Sequence, residues 1–232
     1  MEEVMVQPLI GDIIEWDIKN WSTSLDFWNQ KSSLNLKNGY ALELGGRNGG
    51  ISLWLAAKGC RVVCSDLTGP TDHARTLHDS YGVSHLIEYN NVDATDIPYE
   101  DDSFEVVTFK SVLGGVGSHN NKEAQRQAMK EIHRVLKPGG ELLFAENLAA
   151  SPIHKVLRKK FVSWGKKWRY PSIHEMNEFL EDFSQVHHLT RGFMGSFGRT
   201  ERQRNLLASV DSVFHRMIPE QWKYIMMGVA KK

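Results

Sequence analysis

The chain has 232 residues, 41% of them hydrophobic and 24% charged, with 28 basic residues against 28 acidic ones. That composition excludes a disordered or fibrous chain, allows a substantial core, and offers no net charge to recruit a polyanion. No apolar run approaches the roughly 20 residues of a membrane-spanning helix, and the only two cysteines, Cys60 and Cys64 in one predicted strand, make neither a disulfide nor a metal site.

The start, Met1-Glu2-Glu3, lacks a basic-then-apolar leader. With thiols expected in the core, a reducing, cytoplasmic setting is expected. Residues 1–38 carry Trp16, Trp21 and Trp28 among polar residues. Trp21 to Trp28 reads as a helix with Ser22 as N-cap and with Trp21, Leu25 and Trp28 on one face. Such a helix either packs on a sheet edge or forms a flap over a ligand pocket.

A first buried strand is expected at 40–44, then the glycine-rich turn Gly45-Gly46-Arg47-Asn48-Gly49-Gly50, then a helix over 51–58 ending at Gly59. Glycines let the backbone take positive φ and approach a ligand closely, and a helix start at such a turn suits an anion or a ribose. The second strand, 61–65, ends on Asp66; a helix follows at 71–81. A weaker third strand, 86–92, ends on Asp93, and an acidic turn leads to the fourth, Phe104 to Phe109. A loop with Gly114, Gly115 and Gly117 precedes a helix at 121–136, which Lys137-Pro138-Gly139-Gly140 stops. The fifth strand is Glu141 to Ala145; beyond it, 152–182 reads as helical, 185–193 as strand, 199–216 as helix and 224–230 as the last strand. Strands alternating with helices predict an α/β fold, a mostly parallel sheet with helices on both faces and ligands beyond the carboxyl ends of its strands. We divide the chain into an N-terminal helical flap (1–38), a nucleoside-binding core (39–150), basic aromatic lid helices (151–184) and a C-terminal part completing the sheet (185–232).

The chemistry gathers at those strand ends. Asp66, 23 residues after Glu43, is placed to accept hydrogen bonds from both hydroxyls of a ribose, and Asp93 to meet an adenine edge. Glu43, immediately before the turn, would repel a pyrophosphate but suit an ammonium or sulfonium group, which favours S-adenosylmethionine over NAD.

These residues resemble the motifs of class I S-adenosylmethionine-dependent methyltransferases. Glu43-Leu-Gly45-Gly-Arg-Asn-Gly49 is similar to that family's first motif, Asp66 to its ribose acid and Asp93-Ala94 to its adenine pair. Residues 97–107 resemble the stretch leading into its fourth strand, and Leu136-Lys-Pro-Gly-Gly140 its turn before the fifth. The resemblance spans roughly residues 38–148. It implies a Rossmann-like seven-stranded sheet with the last strand antiparallel, S-adenosyl-L-methionine as cofactor, and a binding set of Glu43, Gly45, Gly46, Arg47, Gly49, Asp66, Leu67, Asp93, Ala94 and the Phe109 backbone. It also puts Lys110 at the mouth of the acceptor pocket.

Two departures stand out. Arg47 replaces the middle glycine, and its guanidinium either pairs with the cofactor carboxylate or points to solvent. Lys110 follows the fourth strand, where it can anchor an anionic acceptor, act as a base if burial lowers its pKa, or be a surface lysine. His119, Glu146 and His154 are further candidate bases, with Lys110 and His119 taken as the catalytic pair. Lys155 to Arg169 holds seven basic residues and no acid, with Phe161, Trp164 and Trp168 between them. It is either a cap helix with a solvated basic face or a lid meeting an anionic small-molecule or saccharide acceptor, with contact to a membrane surface open to residues 155–169; Trp164, Trp168 and Arg169 are the expected substrate contacts. One short patch in a neutral chain disfavours nucleic acid. A non-catalytic cofactor-binding protein and an NAD-linked oxidoreductase are the competing readings.

Overall fold

Strands and helices alternate through residues 8–162 and 167–232, the residues described in a computed structural model. Three N-terminal helices, α1 (Ile10–Ile14), α2 (Ile18–Trp21) and α3 (Thr23–Lys31), precede β1 (Tyr40–Leu44), α4 (Gly50–Ala56), β2 (Arg61–Asp66) and α5 (Asp72–Ser80). Then come β3 (Ile87–Asn91), β4 (Phe104–Lys110), α6 (Leu113–Val116), α7 (Lys122–Val135) and β5 (Leu136–Asn147). The last elements are α8 (Pro152–Phe161), α9 (Ile173–Phe179), β6 (Gln185–Arg191), α10 (Glu201–Phe214) and β7 (Ile225–Lys231).

The seven strands form one sheet in the order β3-β2-β1-β4-β5-β7-β6. The first five pair in parallel, and β7 runs antiparallel to both neighbours, as the resemblance implied. The order reverses between β1 and β4, so a crevice opens at their carboxyl ends, where such sheets bind ligands. Two apolar layers flank the sheet. One joins Trp21, Trp28 and Leu53 to Val62 and Ile225; the other joins Phe109, Ile132, Phe144, Met176 and Phe179. Both cysteines are buried and unpaired, and burial pushes the Cys60 thiol up to about 12.

Several expectations change. The N-terminal helix packs on the sheet: Trp28 is wholly buried, its indole N–H donates to the Phe144 carbonyl at 3.3 Å, and α3 lies on β5 and β7. Ser22 does not cap it; with φ −63° and ψ −22° it joins two helical turns, and its side chain makes no capping bond. Strand β5 starts at Leu136, because Leu136 already pairs with Phe104 across a register shift. The 152–182 stretch is not one helical run: α8 and α9 are separated by extended chain around Pro171, which also disfavours helix at Tyr170.

Candidate active site

Gly45, with φ +67°, turns the chain out of β1, and the side chain of Val112 lies where a Cβ would stand. Gly50 opens α4 because the Ile13 carbonyl of α1 presses on its Cα, leaving no room for a methyl. The remaining loop groups are held by the protein itself. The Gly46 N–H donates to the Ser65 carbonyl at 2.7 Å, and the Gly49 carbonyl meets His78 Nε2 at 2.8 Å. Arg47 adopts φ +38° with its side chain exposed, and its carbonyl accepts from the Thr71 N–H at 2.8 Å.

Glu43 is buried beneath this loop. Its Oε2 accepts the Ser52 N–H at 2.9 Å and the Ser52 hydroxyl, satisfying a free amide of the first turn of α4. Burial pushes its carboxyl up to about 7. Glu43, expected to suit a cationic group, is turned under the loop by strand alternation, where it braces β1 to α4 and the charge of Lys110 reaches it.

At the next strand end, the Val92 N–H donates to the Asp66 carbonyl at 3.0 Å, which sets the chain leading to Asp93 beside Asp66. The Asp66 carboxyl is half-buried and has no hydrogen-bond or ion-pair partner among the described residues, and Leu67 beside it is 65% exposed. Asp93 is exposed, with Oδ1 accepting the Thr95 N–H at 2.8 Å; Ala94 is buried in the core.

Across the crevice, Phe109 is enclosed against Phe144, so only its backbone faces the site. Lys110 extends from the end of β4 towards the N-terminal segment. Its Nζ lies 5.9 Å from the Trp16 ring and 5.4 Å from the Trp21 ring and donates to the Ile14 carbonyl at 3.4 Å. Burial lowers its pKa, opposed by the charges of Glu15, Glu43 and Glu146 and helped by Arg47. The Trp21 indole N–H is buried with no partner among the described residues. Beneath this corner Tyr224 donates its hydroxyl to the buried carboxyl of Asp17, and α10 holds the Asp17 and Ile18 amides through Glu201 at 2.9 and 2.7 Å.

Residues 42–144 match the family model described as a methyltransferase domain. Over 116 residues the chain is 33% identical to a glycine/sarcosine/dimethylglycine N-methyltransferase of Actinopolyspora halophila, covering 49% of this chain and 20% of that one. Over 120 residues it is 34% identical to a demethylmenaquinone methyltransferase of Clavibacter sepedonicus, covering 50% and 44% respectively. The Haemonchus contortus phosphoethanolamine N-methyltransferase 2, solved in complex with S-adenosyl-L-methionine, shares the fold with a TM-score of 0.62 at 16% identity, over 91% of this chain and 52% of that chain. Residues 42–144 are thus similar to a methyltransferase domain, and the fold is shared with a solved methyltransferase. The chain spans less than half the length of the curated relatives it matches.

The cofactor of such a domain is S-adenosylmethionine, and the crevice fits it. A half-buried acid without a partner among the described residues stands at the β2 end, an exposed leucine lies beside it, and the loop from β1 to α4 turns at Gly45 and Gly49 with positive φ. The chain spends several predicted site residues elsewhere. Glu146 is fully buried and accepts the Val112 and Leu113 N–H groups, both at 2.8 Å, so it caps α6 instead of serving as a free base. His154 is enclosed between the Ser151 hydroxyl and the Phe193 carbonyl, and burial lowers its pKa to about 4. His119 is exposed on a left-handed turn, φ +60°, that carries it outward. The Arg169 guanidinium, an expected substrate contact, donates to Gln125 and Glu175. Trp168 lies flat against Gly114, where it walls the loop after β4. Trp164 lies outside the described residues.

The sequence reading missed the Glu15–Trp16–Asp17 corner. The Trp16 N–H donates to the Ile14 carbonyl at 2.9 Å, closing a three-residue turn centred on Glu15 at φ +69°, a strained backbone of the kind that gathers at ligand sites. The density of tryptophans was the available signal, but it gave no hint that two of them face Lys110. It missed His78 too, whose contact with Gly49 spans 29 residues.

Proposed function

We propose that the chain is an S-adenosylmethionine-dependent methyltransferase whose acceptor is a small molecule with a nucleophilic amine or hydroxyl and an anionic group held by Lys110. The observation that carries this reading is the ammonium of Lys110, enclosed by Trp16 and Trp21 with one long hydrogen bond at 3.4 Å. An ammonium has three donors, and an enclosed one whose neighbouring anions are engaged elsewhere is costly. Of the acids whose charges reach it, Glu15 accepts from the Asn48 amide at 2.6 Å, and Glu43 and Glu146 are spent on Ser52 and on the start of α6. A carboxylate or phosphate on the acceptor would supply the missing counter-charge, and the unpartnered Trp21 N–H would donate to the same group. The relatives named above differ in acceptor, so the choice rests on this corner.

Bound S-adenosylmethionine supplies a methyl already activated on a sulfonium. The chain has to align the acceptor in line with it and keep water out. In this reading Asp66 takes the ribose hydroxyls, Leu67, Asp93 and the Ala94 backbone border the adenine, Gly45, Gly46 and Gly49 leave room at the turn, and Arg47 meets the cofactor carboxylate. The Phe109 backbone borders the methionine end, and Trp168 closes the acceptor side. Lys110 holds its proton and fixes the acceptor; the proton of an amine or hydroxyl nucleophile leaves to solvent water.

Lys110→Met tests this through S-adenosylhomocysteine release with matched anionic and neutral acceptors. We expect kcat/KM to drop about 10- to 100-fold for anionic acceptors, the worth of one charged hydrogen bond, at unchanged S-adenosylmethionine affinity. An equal loss with neutral acceptors, or none at all, overturns it.

A further inference from the structure

Helix α8 is turned inside out. Its inward residues are His154, bound to the Phe193 carbonyl at 2.9 Å, Arg158, bound to the Leu148 carbonyl at 2.6 Å with its guanidinium 4.1 Å from the Tyr170 ring, and a half-buried Leu157. Its outward residues include Ile153, 57% exposed, and Val156, 63% exposed. Ordinary amphipathic helices do the reverse. Helix α10 repeats the inversion. It directs Glu201 to the Asp17 and Ile18 amides and Asp211 to the Phe193, Met194 and Gly195 amides, at 2.7 to 3.0 Å, and leaves Leu206 and Val213 exposed seven residues apart, with Met217 exposed in the turn that follows. Both helices hold Phe193, α8 at its carbonyl and α10 at its amide.

The exposed apolar residues are interleaved with cations. Lys155, Lys159 and Lys160 share the outer face of α8, and Arg202 and Arg216 lie exposed on α10 and just beyond it. No acid occurs between Ser151 and His174, and the two acids of α10 are spent on backbone amides. A second copy brought to this face would set lysine against lysine. A bilayer with anionic headgroups supplies both an apolar layer and negative charge.

We infer that α8 and α10 form a face that docks on an anionic lipid surface. This goes beyond the proposed activity and does not depend on it. The test uses the full chain in co-sedimentation with vesicles of phosphatidylglycerol mixed with phosphatidylcholine, against pure phosphatidylcholine. Binding should favour the anionic vesicles and weaken as salt rises. Lys155→Glu/Lys159→Glu/Lys160→Glu should lower it by about 100-fold or more, at about fivefold per lysine. Ile153→Ser/Val156→Ser should lower it by about tenfold through lost apolar burial. S-adenosylmethionine affinity and melting temperature should hold in both variants, since the altered side chains are exposed. Failure to bind anionic vesicles would overturn the inference. So would a concentration-dependent dimer in light scattering that Ile153→Ser/Val156→Ser dissolves.

Discussion

The two sides of the crevice are built from different materials. On the β1–β3 side, backbone does most of the work: a turn with positive φ at Gly45 and Gly49, and adjacent strand ends presenting Asp66 and Asp93. On the β4–β5 side, side chains from distant segments do it, with Lys110 reaching an Ile14 carbonyl 96 residues away. A turn whose geometry is written in local sequence can recur across many chains. A pocket assembled from long-range side-chain contacts can differ in each, and this is where acceptor choice would reside.

Asp66→Ala should give the largest effect on the first side. Two charge-assisted hydrogen bonds to a ribose are lost, so the dissociation constant for S-adenosylmethionine should rise about 100-fold or more by titration. An unchanged constant would detach Asp66 from the cofactor. Gly50→Ala comes next. A methyl there meets the Ile13 carbonyl, and overpacking of that kind costs about 1–3 kcal/mol; denaturant unfolding measures it, and a variant as stable as the parent would contradict the close approach.

The legibility of the chain follows the same division. The sheet, the glycine turn and the acids at 66 and 93 could be read because each signal lies within a few residues of the next. The roles of Glu43 and Glu146 could not: an acid near a strand end reads alike whether it faces a ligand or caps a helix, and these accept backbone N–H groups, Glu43 from the helix after its own strand and Glu146 from the start of α6, more than 30 residues earlier in the chain. Apolar periodicity also misleads for α8, because the hydrogen bonds of His154 and Arg158 and the packing of the His154 ring on Phe193 and Phe197 help to fix which side faces inward.

Glu43→Gln makes a finer comparison. Burial holds the Glu43 carboxyl near 7, above its ordinary 4.5. Folding therefore takes up a proton between those values, and this group's contribution to stability falls as pH rises from about 4.5 to about 7. The variant lacks that slope, so its melting temperature should gain on the parent's across the window; a difference independent of pH would contradict the assignment. His119→Ala should have the smallest effect, less than about twofold in kcat/KM at any pH, because its ring stands in solvent. A tenfold loss would return it to the acceptor side.

Calorimetric titration of the unmodified chain with S-adenosylmethionine is the most direct test of the whole account. We predict one-to-one binding that saturates below about 1 mM, the upper end of ordinary substrate constants. No heat and no protection from thermal unfolding at that concentration would contradict it.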